Sequence, residues 1–247
     1  GAARRDRRDV LARRPHLPPV SAEHPRHDAA PAFWASGRAR RWAWRHRYGL
    51  SLLYIPAFLA WFLSTEYRER DHETSVRCAL DDKIPFREEW VLAYGAWFPY
   101  LLGFAGWLYA HDTDRSEYKR SYYLLVAGMT ITMLIYEVWP NRQDLQPSEY
   151  PRDNLFTEVV RRLQAFDNQS NVCPSLHVYT TLCVNDALQT SRLLKHPGVV
   201  RPASWALTGL ISASTCFLKQ HSVLDGLAAA GLFGVLKLAP RLVGRRV

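Results

Sequence analysis

Metal-ligand spacing is missing from this sequence. Its four cysteines, Cys78, Cys173, Cys183 and Cys216, form no C-x-x-C pair, so zinc is not implied. Cys183 and Cys216 fall in apolar segments and read as small core residues. No folded motif interleaves aromatics with Lys and Arg, which removes the ordinary RNA- or DNA-binding modules as the reason for a net charge of +9. A short cleavable leader is not expected either. The first apolar run begins far from Gly1, lacks a small-residue cleavage site and reads as a signal anchor. Lysine is absent from residues 1–47, where every basic side chain is arginine, and charge of either sign is absent from several later runs of roughly 16–21 residues, about the length that crosses a bilayer.

What is present is strongly segregated. The chain of 247 residues is 48% hydrophobic with 9 Trp, yet its mean hydropathy is only −0.22 because twelve of its 32 basic residues precede Tyr48. Residues 1–47 mix Arg, Pro, His and Ala without periodicity and are expected to be a disordered cytoplasmic tail, with Arg38–Arg47 at the membrane edge. Residues 48–240 are expected to form a membrane domain, and residues 241–247 a second basic cytoplasmic tail. The apolar runs predict spans at about Tyr48 to Leu63, Trp90 to Ala110, Ser121 to Tyr136, Val172 to Leu188, Pro202 to Leu218 and Ser222 to Leu236. HDTDRSEYKR reads as a charged connection between the second and third. DNLFTEVVRRLQAF carries Leu155, Phe156, Val159, Val160, Leu163 and Phe166 at helical spacing, which predicts a short interfacial helix between spans three and four. The fold expected is therefore all-α, a six-span integral membrane helical bundle. With both termini cytoplasmic, the inner connections are the basic ones, as the positive-inside rule requires.

That topology brings separated residues to the outer face. The stretch STCFLKQHSVLD puts His221 and Asp225 four residues apart. If the chain is helical from Ser222, they share one face, and the carboxylate can accept the ring proton and fix the tautomer. Such a histidine can serve as nucleophile or base. His-x3-Asp is also a common structural pair, so the spacing alone leaves both readings open. His177 lies upstream in NVCPSLHVYTTL, at the outer start of span four, with Glu137, Arg142 and Gln146 on the same side. One histidine oriented by a carboxylate and one free to donate a proton suit phosphoryl transfer through a phosphohistidine.

These residues carry a resemblance. The chain is similar to the type 2 phosphatidic acid phosphatase superfamily of membrane lipid phosphatases, whose motifs run K-x6-RP, PSGH and SR-x5-H-x3-D, and most of all to a bacterial branch related to inositol phosphorylceramide synthase-like membrane proteins. Pro174-Ser175-Leu176-His177 resembles the second motif, and Ser214-Thr215 with His221 and Asp225 the third. The likeness covers Tyr48 to the last span. It implies that His221 attacks phosphorus, Asp225 orients it, and His177 protonates the departing alkoxide and then activates water. It also implies that Lys219, Arg142, Ser175, Ser214 and Gln146 bind phosphate, with no cofactor and no metal. Departures are clear. Thr215 replaces the third-motif arginine, and Lys219 would bring a cation one turn later if that segment is helical. Leu176 replaces glycine, Gln146-Pro147 stands for Arg-Pro, and Trp139 stands where the lysine would be. Arg142 either compensates or faces headgroups from a loop. Ser175 either binds phosphate or caps its helix, and Ser214 binds phosphate or back-bonds within its own.

The implied function is hydrolysis of a lipid phosphate at the extracytoplasmic face of the cell membrane, with the bilayer and a lipid phosphate as partners and no nucleic acid. Two alternatives stay open: a lipid phosphotransferase using an alcohol acceptor, and a catalytically silent scaffold. Asp81, Asp82 and Glu88 read as a solvated interfacial loop in preference to a metal site, and Asp186 as a helix-end charge. A Cys78–Cys173 disulfide is conceivable, because both fall outside in this topology.

Overall fold

A computed structural model describes residues 51–68, 70–166 and 168–243; the expected tail 1–47 and the start of the first span lie outside them. Among the described residues the chain is all-α apart from one short pairing. The helices are α1 (Tyr54–Glu66), α2 (Val91–Gly95), α3 (Trp97–His111), α4 (Ser116–Val138), α5 (Leu155–Phe166), α6 (Leu176–Thr190), α7 (Pro197–Phe217) and α8 (Val223–Val243). Strands β1 (Thr74–Ser75) and β2 (Asn141–Arg142) run parallel, with Thr74 opposite Asn141.

The expected helical stretches form, but capping chemistry moves their ends. α4 starts at Ser116, so half of HDTDRSEYKR is helix: Asp114 Oδ1 accepts the Ser116 N–H at 2.9 Å and Asp112 Oδ2 the Tyr118 N–H at 2.6 Å. α7 starts at Pro197, where a missing N–H costs nothing, and carries Pro202 inside it. α8 continues to Val243, so the tail expected at 241–247 begins as helix, and residues 244–247 lie outside the description. α5 follows its apolar stripe and is capped by Asn154, whose Oδ1 accepts the Thr157 N–H at 3.0 Å. Its Val160 is fully buried against Val91, Tyr94 and Leu218, while Leu155 and Val159 face outward.

Among the described residues, two helical stretches, Glu88–His111 and Ser116–Val138, are long and apolar enough to cross a membrane. α1 and α6 are shorter, at 13 and 15 residues, or about 20 Å each. Large apolar side chains face outward on several helices, among them Leu59 and Leu63 of α1, Phe98 and Leu102 of α3, and Leu227 and Val235 of α8.

α6 is the least apolar of the expected spans because it is surrounded by protein. It packs on α3, α4, α7 and α8, and from Val178 to Leu188 almost every residue is buried. Its polar groups are tied to neighbours. The Trp97 indole N–H donates to Thr180 Oγ1 at 2.8 Å, and Asn185 Oδ1 accepts from Ser204 Oγ at 2.7 Å. Ser204 in turn bonds the Tyr100 hydroxyl at 2.7 Å. Asp186, expected as a helix-end charge, pairs with Lys237 of α8. α4 comes so close to α6 at Gly128 that an added Cβ would lie 1.8 Å from the Tyr179 ring. Tyr179 donates to the Leu124 carbonyl at 2.6 Å beside this contact.

Candidate functional site

The α7–α8 turn is built from both ends. Helix α7 closes in a Schellman arrangement: Gln220 N–H donates to Thr215 O at 2.9 Å and Lys219 N–H to Cys216 O at 3.1 Å. The left-handed residue this needs is Lys219 itself, with φ 58°. The expected helical placement of Lys219 therefore fails. Its ammonium donates to the Asp81 carbonyl at 2.5 Å. Helix α8 opens in a capping box. Ser222 Oγ accepts the Leu224 N–H at 3.1 Å, while the Asp225 carboxylate reaches back to the Ser222 N–H at 2.9 Å. The same oxygen, Oδ2, accepts from His221 Nδ1 at 3.2 Å. A carboxylate can only accept, so Nδ1 carries a proton, and in the neutral ring Nε2 is the nitrogen with the lone pair.

His177 occupies the first turn of α6, and its ring centroid lies 5.8 Å from that of His221. Tyr94 and Trp97 flank it, each with centroids 4.6 Å away. Neither aromatic was singled out from sequence; each lies inside an apolar run, where a ring reads as lipid-facing or core. His221 is 8% exposed, and Asp225 is fully buried.

The loop entering α6 is held from three sides. Asn141 Oδ1 accepts the N–H groups of Val172 and Cys173 at 3.0 and 2.8 Å, and its Nδ2 donates to Cys173 O at 3.1 Å. The Tyr136 hydroxyl donates to Pro174 O at 2.7 Å, and Ser175 N–H donates to Asp225 O at 3.1 Å. That last bond laces the N-terminus of α6 to that of α8. Ser175 is the N-cap, taking the Val178 N–H at 3.4 Å. The N–H groups of Leu176 and His177 have no acceptor among the described residues. Leu176 begins a regular helix and packs toward Phe58, Met133 and Tyr136, so the position needs no glycine.

The remaining expected residues are less convergent. Ser214 donates to Ile211 O at 2.6 Å, the back-bonded alternative. Arg142 stands on β2, one residue from the Asn141 anchor; its side chain is exposed and has no bonded partner among the described residues. Gln146 is half-buried, with Nε2 unpartnered, and no bond links it to either histidine. Trp139 donates to Thr74 Oγ1 at 3.0 Å, and Glu137 binds Trp61, Thr65, Arg68 and Arg70, fastening α1 to α4.

The carboxylates of the first polar loop do not act together. Asp82 pairs with Arg77, and Glu88 with Arg152 and Asn154. Asp81 is not solvated as expected: it is 2% exposed and sits beneath the α8 N-terminus. Its Oδ2 accepts from Ser222 Oγ at 2.7 Å and Cys78 N–H at 2.7 Å, and its Oδ1 from Val223 N–H at 2.9 Å. Burial alone would raise this carboxyl, but the Val223, Ser222 and Cys78 donors together hold it below the ordinary carboxylate range. The conceivable Cys78–Cys173 disulfide is absent. All four cysteines are free, and the Cys173 thiol lies beside Asp225.

No family model, curated protein or solved structure matches this chain. An in-line displacement needs about 3 Å from attacking atom to phosphorus, and about 3 Å from the departing oxygen to its proton donor. The ring centroids of His177 and His221 lie 5.8 Å apart with their planes tilted by 60°, so both imidazoles border one small volume.

Proposed function

We propose that this chain is an integral membrane phosphohydrolase acting on a lipid phosphomonoester or diphosphate through a phosphohistidine at His221. The observation that carries the reading is the His177–His221 pair, 5.8 Å apart, with Asp225 on His221 Nδ1. His177 takes up a proton as the phosphate anion binds beside it; His221 Nε2 then attacks phosphorus, the bond to the lipid oxygen breaks, and His177 gives that proton to the departing oxygen. Neutral His177 then takes a proton from water; the hydroxyl attacks phosphorus, and the N–P bond breaks with its electron pair returning to Nε2. The Leu176 and His177 N–H groups at the α6 N-terminus are suited to the phosphate oxygens, as is the Arg142 guanidinium if the loop brings it in. Support for a lipid substrate comes from the two membrane-length helices and the outward apolar side chains of α1, α3 and α8. In this reading six helices span, both termini are cytoplasmic, and the histidines open to the outer face.

The test is release of phosphate from labelled lipid phosphates by the purified protein in bilayers. His221→Ala and His177→Ala should each lower it by ~10³-fold or more, and vanadate should inhibit the wild type. Label appearing on an added alcohol, in place of free phosphate, would make the protein a phosphotransferase using the same intermediate. Release that is absent, or unaltered by both substitutions and by vanadate, would leave the scaffold reading.

A further inference from the structure

We propose that Asp81 is a positioning residue for His221, reaching it through Ser222 and Asp225 from a loop some 140 residues earlier in the chain. The inference rests on His221 being the nucleophile. Three features of Asp81 support it. Its carboxylate is buried, and every donor it accepts belongs either to its own turn, through the Cys78 N–H, or to the two residues that follow His221. Its main-chain carbonyl holds the Lys219 ammonium, two residues before His221. The one residue, with its carboxylate after His221 and its main-chain carbonyl before it, therefore grips the α7–α8 turn on both sides of the imidazole.

The connection to the ring is continuous. Because the Ser222 hydroxyl gives its proton to Asp81, its lone pair faces the Leu224 N–H, which fixes Ser222 as the cap of α8. With Ser222 fixed, its N–H holds Asp225 Oδ2, the oxygen on His221 Nδ1. If Asp81 is removed, the Val223 N–H loses its acceptor and the Ser222 hydroxyl is free to rotate. The first turn of α8 loosens, and with it the carboxylate that sets the ring. Displacement of a reacting group by about 1 Å can cost up to ~10²-fold in rate. Asp81 does not touch substrate in this arrangement, so the loss should fall on turnover and not on binding.

The experiment compares wild type with Asp81→Asn, Ser222→Ala and Ser222→Thr, each counted per folded molecule in bilayers. Expected are kcat values lower by ~10- to 10²-fold for Asp81→Asn and Ser222→Ala, with KM within about twofold of wild type. Ser222→Thr keeps the hydroxyl and should restore kcat. Histidine-15N NMR reads the same coupling without substrate: wild type should hold His221 as the Nδ1–H tautomer, the two damaging variants should mix tautomers, and Ser222→Thr should not. Folded Asp81→Asn protein with wild-type kcat and a wild-type tautomer would overturn the inference. A wild type that releases no phosphate, yet shows the tautomer change in Asp81→Asn, would retract the phosphohydrolase reading and uphold the coupling.

Discussion

At the scale of single residues, Asn141 carries more structure than any residue singled out from sequence. It is fully buried, and it satisfies two N–H groups and two carbonyls around the entry to α6. Asn141→Ala would strand the Val172 and Cys173 donors, each at a cost of about 1–3 kcal/mol. Thermal unfolding should therefore show a loss of at least ~2 kcal/mol, and His177 would lose its fixed approach to His221. Nothing local distinguishes this asparagine from other loop asparagines, because its partners lie some 30 residues ahead. The His221–Asp225 pair was legible because one helical turn joins the two. Asp81 was not, and it gives a pH dependence. Its folded carboxyl titrates below the ordinary range, so between the folded and ordinary values the unfolded chain binds more protons than the folded one. This contribution to stability is complete above the ordinary carboxyl range and is lost as pH falls through the folded value. The unfolding midpoint should drop on acidification through that window. Asp81→Asn should flatten this limb of the profile, and an unchanged limb would remove Asp81 from the account.

Between helices, the decisive contact is Gly128 of α4 against Tyr179 of α6. An alanine there would meet the ring, so Gly128→Ala should destabilise by ~1–3 kcal/mol or more through overpacking. Tyr179→Ala removes the obstacle, and the double variant should be more stable than the sum of the two losses allows. Denaturant titration of the four proteins checks this, and strict additivity would deny the contact. The same pair shows what the sequence reveals about elements. Apolar runs marked where helices lie, because burial and lipid both demand them. Their ends were displaced because capping decides them, as Asp112 and Asp114 do at α4 and Pro197 does at α7. α6 looked the weakest span because hydropathy measures preference for lipid, and Thr180 and Asn185 instead meet Trp97 and Ser204.

On the scale of the whole molecule, charge and the histidine pair occupy opposite ends of α6. His177 lies in its first turn. At its last turn Arg120 bonds Thr190, the Arg192 N–H bonds Glu117, and Lys237 pairs with Asp186. A helix of 15 residues separates the two groups by about 20 Å. If the basic end faces the cytoplasm, the histidines open outward, which is what a six-span path with inner termini requires. Cysteines introduced at the exposed positions Glu149 and Lys195 report on the two ends. In intact cells a membrane-impermeant maleimide should label Glu149→Cys above the background of the parent protein, whose own Cys78 and Cys216 are half-buried. Lys195→Cys should react only after the membrane is opened. Label on both positions from the same side would break the link between the basic connections and the cytoplasm, and with it the outward-facing site.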